Sequence, residues 1–227
     1  MDFRPDAIVQ SLHLMKSNPG IGALCNRIHP SGSWLMQWYQ MYEYAIGHWL
    51  HKSTEDVFGA VLCSPGCFSL FRGNAILSDN VLKTYMKVST EAKQFLQRDM
   101  GEDRWLCTLL IKQGWSVRYS AASDAFTAAP ENFEELYNQR GRWIPSTLVN
   151  ILDLLSDYSN VTRKNDDISM PYILYQTMFM ICTIISPVIV FLILVYACSM
   201  IFYITIPVSL FMNLVPLIYF CVICWKG

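Results

Sequence analysis

Apolar residues recur with helical spacing through much of the first 169 residues of the chain. Ile8, Leu12 and Met15 share one face of the first such segment. On this basis we predict helices at residues 5–16, 34–50, 102–113 and 131–158. Short apolar runs between them predict extended segments at residues 21–28, 60–62, 67–71 and 117–120. Helices that alternate with short strands indicate an α/β layer.

Two of the predicted helices have distinctive residues, in one case along the helix and in the other at its end. The helix at 34–50 is rich in aromatic residues, among them Trp34, Trp38, Tyr42 and Trp49. We interpret this aromatic content as core packing. The helix at 102–113 is followed by Gly114, which we expect to end it as a C-cap, because glycine adopts the left-handed conformation without strain.

The pattern changes after Asp167. No Asp, Glu, Lys or Arg occurs from Ile168 to Trp225. A membrane-spanning helix needs about 20 apolar residues, so the tract predicts two transmembrane helices, at residues 172–201 and 207–224. Prolines interrupt the tract, and they are tolerated in membrane helices that pack on others.

Composition and charge add to this picture. The first five residues contain no apolar stretch of the signal-peptide kind, so we expect the first 169 residues to stay in the cytosol. Arg163 and Lys164, just before the first span, agree with the positive-inside bias. A net charge of −1 gives no indication of a nucleic-acid partner. Cys63 and Cys67 lack a matching second pair, so no zinc site is expected.

The helix at 102–113 begins with Gly101-Glu102-Asp103-Arg104-Trp105. Carboxylates are favoured at a helix N-terminus by the helix dipole, so simple capping explains the acidic pair. A carboxylate there could also act as a general base toward a hydroxyl group. The spacing alone leaves both interpretations open.

A second motif lies in the helix at 131–158. Gln139, Arg142 and Trp143 are three and four residues apart and therefore share one helix face. An arginine can pair with a diphosphate, and an indole ring offers a platform for a sugar. A surface helix with an extended arginine and a half-buried tryptophan is the equally weighted alternative.

Taken together, these motifs resemble the animal-type chitin synthases, which are family-two processive glycosyltransferases. The resemblance rests on strings that occur in order: Cys25-Asn26-Arg27-Ile28-His29-Pro30, Glu43-Tyr44-Ala45-Ile46-Gly47-His48-Trp49, Ser64-Pro65-Gly66-Cys67-Phe68-Ser69, Gly101-Glu102-Asp103-Arg104-Trp105 and Gln139-x-x-Arg142-Trp143. It covers most of the chain up to the first predicted span.

The resemblance implies an α/β fold of the GT-A type, followed by transmembrane helices. It implies transfer of N-acetylglucosamine from UDP-N-acetylglucosamine to the 4-hydroxyl of a growing chitin chain, with inversion. Asp103 would be the general base, and Gln139 and Arg142 would lie by the donor pyrophosphate. The remaining residues of the expected substrate site are Trp143, Glu102, Arg104, Pro65, Gly66 and Cys67.

We expect three parts in the chain: the C-terminal portion of the glycosyltransferase domain at 1–145, an amphipathic interfacial helix and linker at 146–169, and two transmembrane helices at 170–227. The resemblance also implies the plasma membrane, in a multi-pass arrangement, with the catalytic part in the cytosol. The expected partners are UDP-N-acetylglucosamine, the nascent chitin chain and the lipid bilayer. A homo-oligomer is possible.

The sequence departs from the family pattern in two respects. Gly141 stands where the family usually has an arginine, and it points away from the face of Gln139. The family's Asp-x-Asp cluster, which holds UDP and a divalent cation (Mg²⁺ or Mn²⁺), is absent, as is its distal Trp-Gly-Thr-Arg segment. We therefore expect an internal fragment or a truncated product that is inactive alone.

Two alternatives stay open at this point. One is a hyaluronan or cellulose synthase, against which the string from Cys63 to Arg72 argues. The other is a non-catalytic membrane protein that associates with a full-length synthase.

Overall fold

A four-stranded sheet organises the first part of the chain in the computed structural model, which describes the backbone of residues 1–226 and the side chains of residues 1–78 and 80–218. The chain forms two compact units, residues 1–177 and 178–227. The strands are β1 (Asp2–Phe3), β2 (Ile21–Ser31), β3 (Ser69–Phe71) and β4 (Ser116–Ala128).

The helices of the first unit lie between and after the strands along the chain. They are α1 (Ala7–Ser17), α2 (Leu35–Ile46), α3 (Ser53–Phe58), α4 (Gly73–Ile76), α5 (Asp79–Tyr85), α6 (Ala92–Gln94), α7 (Glu102–Lys112), α8 (Phe133–Ser156) and α9 (Tyr158–Lys164). Two π-helical segments, Gly47–Lys52 and Phe95–Asp99, join α2 to α3 and follow α6. The four helices predicted from the sequence are therefore confirmed.

The sheet has the strand order β1-β4-β2-β3. The central pair, β2 and β4, is parallel, whereas β1 and β3 are antiparallel to their neighbours. Parallel strands need a long crossover connection, and here the helices from α2 to α7 provide it. Both central strands are longer than predicted; the added part of β4 contains the polar residues Ser123 and Asp124, which are buried and which an apolar pattern does not include.

The first helix packs on one face of the sheet. Met15 of α1 clusters with Ile21 and Leu24 of β2, and Ala7 clusters with Ile28. The Ser11 hydroxyl donates to Asn26 Oδ1 at 3.0 Å, so the polar residue inside β2 has a partner in α1. Helix α7, which carries part of the candidate site, also contacts β2 and β4.

The aromatic helix is where a prediction was wrong. Residues 34–50 are helical, as α2 and the π-helical segment, but the aromatic side chains do not form the core. Trp34, Trp38, Tyr42 and Trp49 are 71%, 58%, 67% and 61% exposed. The buried positions of α2 are Gln37 and Gln40, whose amides donate to the carbonyl groups of Ala129 and Pro130.

The tract without charges is helical. It forms α10 (Met170–Phe202) and α11 (Ile206–Lys226), with Tyr203 at a φ of 53° between them. By length and composition α10 can cross a membrane, and its most apolar part is almost entirely exposed. In α11 the apolar run that the structure describes, Ile206–Ile218, is shorter. The side chains of 219–226, and Gly227, lie outside the described residues, so the second span stays a prediction.

One close contact fixes how α8 crosses the start of α7. A Cβ atom added to Gly101 would overlap the side chain of Ser146, whereas one added to Gly141, in α8, would meet nothing within 4 Å. Gly101 is therefore required by packing and Gly141 is not. Pro145 also removes the amide that would bond the Gly141 carbonyl, so this part of α8 is weakly held.

These two glycines form a matched pair for mutation. Gly101→Ala is expected to lower the free energy of unfolding by about 1–3 kcal/mol, the usual cost of overpacking. Gly141→Ala is expected to raise it by up to about 1 kcal/mol, because alanine is the better helix former. Denaturant unfolding in detergent micelles, followed by circular dichroism, measures both. Equal effects of the two substitutions would contradict the close α7–α8 contact.

Candidate active site

The N-terminus of α7 holds the candidate base in a fixed position. The Asp103 side chain is 20% exposed, and its Oδ1 accepts a hydrogen bond from the Arg104 amide at 2.7 Å. The Arg104 guanidinium lies 3.6 Å from the same oxygen. Glu102, beside it, is exposed. One carboxylate of the acidic pair is thus held by its neighbours, while the other faces outward.

The second oxygen of Asp103 has a partner that the sequence did not reveal. The Cys63 thiol donates to Asp103 Oδ2 at 3.5 Å. Burial raises the pKa of the Cys63 thiol to about 12, so it keeps its proton at neutral pH and remains a donor. The ammonium group of Lys52 donates to the Cys63 carbonyl at 2.6 Å and fixes this stretch of backbone.

The loop of Pro65, Gly66 and Cys67 begins beside this thiol. Ser64 anchors it in two directions: its hydroxyl donates to the Leu24 carbonyl of β2 at 3.0 Å, and its amide donates to Cys107 Sγ of α7 at 3.2 Å. Gly66 and Cys67 are exposed and Pro65 is half-buried. The loop is therefore exposed, and its first residue is anchored to the sheet and to α7, next to Asp103.

The predicted face of α8 approaches α7 through Trp143. Trp143 is half-buried, and the guanidinium carbon of Arg104 lies 5.8 Å from the centroid of its ring. Gln139 is half-buried, and its Oε1 has no hydrogen-bond partner among the described residues. Arg142 is exposed. The contact between Arg104 and Trp143 brings the two sequence motifs together.

Arg140 was missed as a site residue by the sequence reasoning. It donates to Glu43 of α2 at 2.5 Å, and its guanidinium carbon lies 4.6 Å from the centroid of the Trp143 ring. The pair joins positions 97 residues apart, so spacing along the chain could not predict it. Glu43 did occur in one of the strings that carried the family resemblance, which was the available signal.

A cavity of about 340 Å³ opens beside α2, at the end of β2. Its walls include one arginine, two histidines and three further aromatic residues: Arg27, His29, His48, Tyr44, Trp49 and Phe126. The Arg27 guanidinium carbon lies 4.2 Å from the Trp49 ring centroid, and His29 bonds to the buried Asp124 at 3.0 Å. A cavity of this size and lining can accept a small polar ligand with a ring.

His48 is the buried member of this cavity. It stacks on Tyr119, and its Nδ1 has no partner among the described residues. Burial lowers the pKa of His48 to about 3, and the nearby charges of Lys52 and Arg27 add to the effect. The imidazole is therefore neutral at physiological pH.

The metal expected from the resemblance finds no set of ligands among the residues that the structure describes. Among the described residues, no group of three or more His, Cys, Asp and Glu side chains could hold a metal ion. We assign no residue of this chain to the divalent cation.

Comparisons with known proteins match nearly the whole length of the chain. A family model described as chitin synthase matches residues 2–224. Chitin synthase chs-2 of Caenorhabditis elegans is 52% identical over 99% of this chain, and a chitin synthase of Meloidogyne artiellia is 51% identical over 99%. Chitin synthase csmA of Aspergillus niger is 33% identical over 66%. The chain spans 13%, 12% and 10% of the lengths of these three relatives.

The buried imidazole predicts how stability depends on pH. An unfolded histidine has a pKa of about 6.5. Between pH 6.5 and 3, His48 is therefore protonated in the unfolded chain but neutral in the folded chain. The free energy of unfolding should fall by up to about 1.4 kcal/mol for each pH unit in this window. Denaturant titrations at a series of pH values measure the slope.

His48→Gln removes this proton uptake and should flatten the slope. His13→Gln, at an exposed position of α1, is the matched control and should keep the wild-type slope. An unchanged slope in His48→Gln would show that His48 is not held neutral by burial.

Proposed function

The chain belongs to the chitin synthase family, and from this premise we propose that it forms the acceptor side of a chitin synthase active site. The activity transfers N-acetylglucosamine from UDP-N-acetylglucosamine to the 4-hydroxyl of a β-1,4-linked chitin chain, with inversion. The observation that carries the proposal is Asp103, whose carboxylate is held from two sides beside an exposed loop.

Each part of the proposed site has a role in the reaction. The 4-hydroxyl oxygen of the acceptor attacks the anomeric carbon while its proton passes to Asp103. The bond from the anomeric carbon to the UDP oxygen breaks, and the electron pair leaves with UDP. Arg142, exposed and cationic, and Gln139, with its unpaired oxygen, would lie by the pyrophosphate. A divalent cation would neutralise charge on the leaving group.

The exposed loop of Pro65, Gly66 and Cys67 would bind the terminal sugar of the acceptor. The Trp143 ring would pack against a sugar ring, since aromatic faces suit the apolar faces of pyranoses. Glu102 and Arg104 complete the proposed substrate contacts. In this arrangement the Cys63 thiol is a positioning group, because it acts on the acceptor through the Asp103 carboxylate.

We further propose that the sheet and its helices are part of a GT-A glycosyltransferase domain, with the catalytic part in the cytosol and the protein in the plasma membrane. The helix α10 has 33 residues, so its length of about 50 Å exceeds the roughly 30 Å of bilayer hydrocarbon. The division at 145 and 169, the second span and a homo-oligomer remain predictions. The names of the relatives disfavour a hyaluronan or cellulose product.

The base assignment is testable in a chimera in which this chain replaces the matching segment of chs-2 of Caenorhabditis elegans. Asp103→Asn should lower polymer synthesis at least about 100-fold, since general bases contribute about 10²–10⁴-fold. Binding of UDP-N-acetylglucosamine should change little. Incorporation of radiolabelled sugar into chitin and equilibrium binding measure the two effects.

Asp99→Asn, which neutralises a nearby exposed carboxylate, is the control and should keep full activity. Polymer synthesis by the Asp103→Asn chimera would reject the base assignment. A wild-type chimera that is folded and membrane-inserted but makes no chitin would favour the alternative of a non-catalytic, synthase-associated protein.

The positioning role of Cys63 has a separate test in the same chimera. Cys63→Ala removes the donor to Asp103 Oδ2, so kcat should fall about tenfold, the effect of roughly 1.4 kcal/mol, while KM for the UDP-sugar stays the same. Cys63→Ser keeps a donor and should recover most of the loss. If the serine variant is as slow as the alanine variant, the thiol serves packing instead of positioning.

A further inference from the structure

An uncharged stripe of side chains runs along the outer face of α2 and the π-helical segment that follows it. Its members are exposed and recur three and four residues apart: Leu35, Trp38, Tyr39, Tyr42, Ala45, Trp49 and Leu50. We call this set the α2 stripe. A surface helix of a water-soluble domain normally presents its polar face to solvent, so the α2 stripe has the opposite arrangement.

The reversed orientation of α2 is held by specific contacts. Gln37 Oε1 accepts hydrogen bonds from the amides of Ser33 and Trp34, and Gln37 Nε2 donates to the Ala129 carbonyl at 3.4 Å. Gln40, which is 1% exposed, donates to Pro130 at 3.0 Å. Turning the helix over would leave these buried carbonyls unpaired, at a cost of about 1–3 kcal/mol each. The apolar face is therefore fixed outward.

The same helical layer ends on the first turns of α10. Phe58, the last residue of α3, stacks on Tyr175 with ring centroids 5.3 Å apart and planes at 13°. Gln176 donates to Glu55 at 3.2 Å. Gly59 lies so close to the Asp167 carbonyl that a side chain would not fit. The chain therefore runs from the stripe through α3 directly onto the segment from which the apolar helix begins.

We propose that the α2 stripe lies in the interfacial region of the lipid bilayer. Tryptophan and tyrosine favour this region, because their rings combine an apolar body with a polar edge. An amphipathic helix can bury its apolar face there, parallel to the membrane plane. None of the seven members is charged; the Arg27 guanidinium, whose carbon lies 4.2 Å from the Trp49 ring centroid, belongs to the neighbouring cavity. The inference rests on the proposed membrane location of α10.

Fluorescence quenching by lipids tests this contact. The wild-type chain is reconstituted into vesicles of phosphatidylcholine, with or without bromine on the upper part of the acyl chains. All variants carry Trp225→Phe, because Trp225 directly follows the second predicted span and would be quenched whatever the stripe does. In that background Trp38→Phe/Trp49→Phe should lose most of the tryptophan quenching that brominated lipid causes. Trp115→Phe, outside the stripe, is the control and should retain it.

Flotation of the vesicles after a carbonate wash tests the membrane location of α10 independently of the stripe. The chain can float while bromolipid quenches it equally with and without Trp38 and Trp49. That result overturns the inference about the stripe but keeps α10 in the membrane. Quenching of these two residues by aqueous acrylamide alone, or their protection from both quenchers by a second copy or another polypeptide, also overturns it. A chain that fails to float rejects the location of α10 itself.

Discussion

The candidate site depends on the close approach of α8 to the start of α7. Gly101 leaves room for Ser146, and no other residue would fit there. Asn150, one turn along α8, is buried and donates to the carbonyls of Gln97 and Ser146, while Thr108 of α7 donates to its Oδ1 at 3.5 Å. These contacts fix the distance between Asp103 on one helix and the Gln139–Trp143 face on the other.

The site also shows why its parts come from distant places in the chain. One carboxylate oxygen of Asp103 accepts a hydrogen bond from the Arg104 amide in the same helix. The other accepts one from the Cys63 thiol, 40 residues earlier in the chain. Arg140 connects α8 to Glu43 of α2 and lies over Trp143. The loop that begins at Ser64 is anchored both on the sheet and on α7. The sheet, the loop and three helices therefore hold one carboxylate beside one exposed surface.

Much of this arrangement was predictable because it is local. Helical spacing predicted α7 and α8, and the shared face of Gln139 and Trp143 follows from 3.6 residues per turn. Contacts between residues far apart in the chain, such as Cys63 with Asp103, cannot be predicted from the spacing of residues along the sequence. The orientation of α2 was predicted wrongly for a related reason. Hydrophobicity assigns aromatic residues to the core, but Gln37 and Gln40 bind backbone carbonyls that a purely apolar face would leave unpaired.

The central claim is that α7 and α8 form one unit that positions the base against the substrate face. Hydrogen–deuterium exchange on the wild-type chain and on Asn150→Ala tests it most directly, because Asn150 bonds to both sides of the contact. Exchange should become faster in residues 102–112 and 133–156 together, while β2 and β4 keep their protection. Faster exchange confined to α8 would contradict the account, since α7 would then hold Asp103 without help from α8.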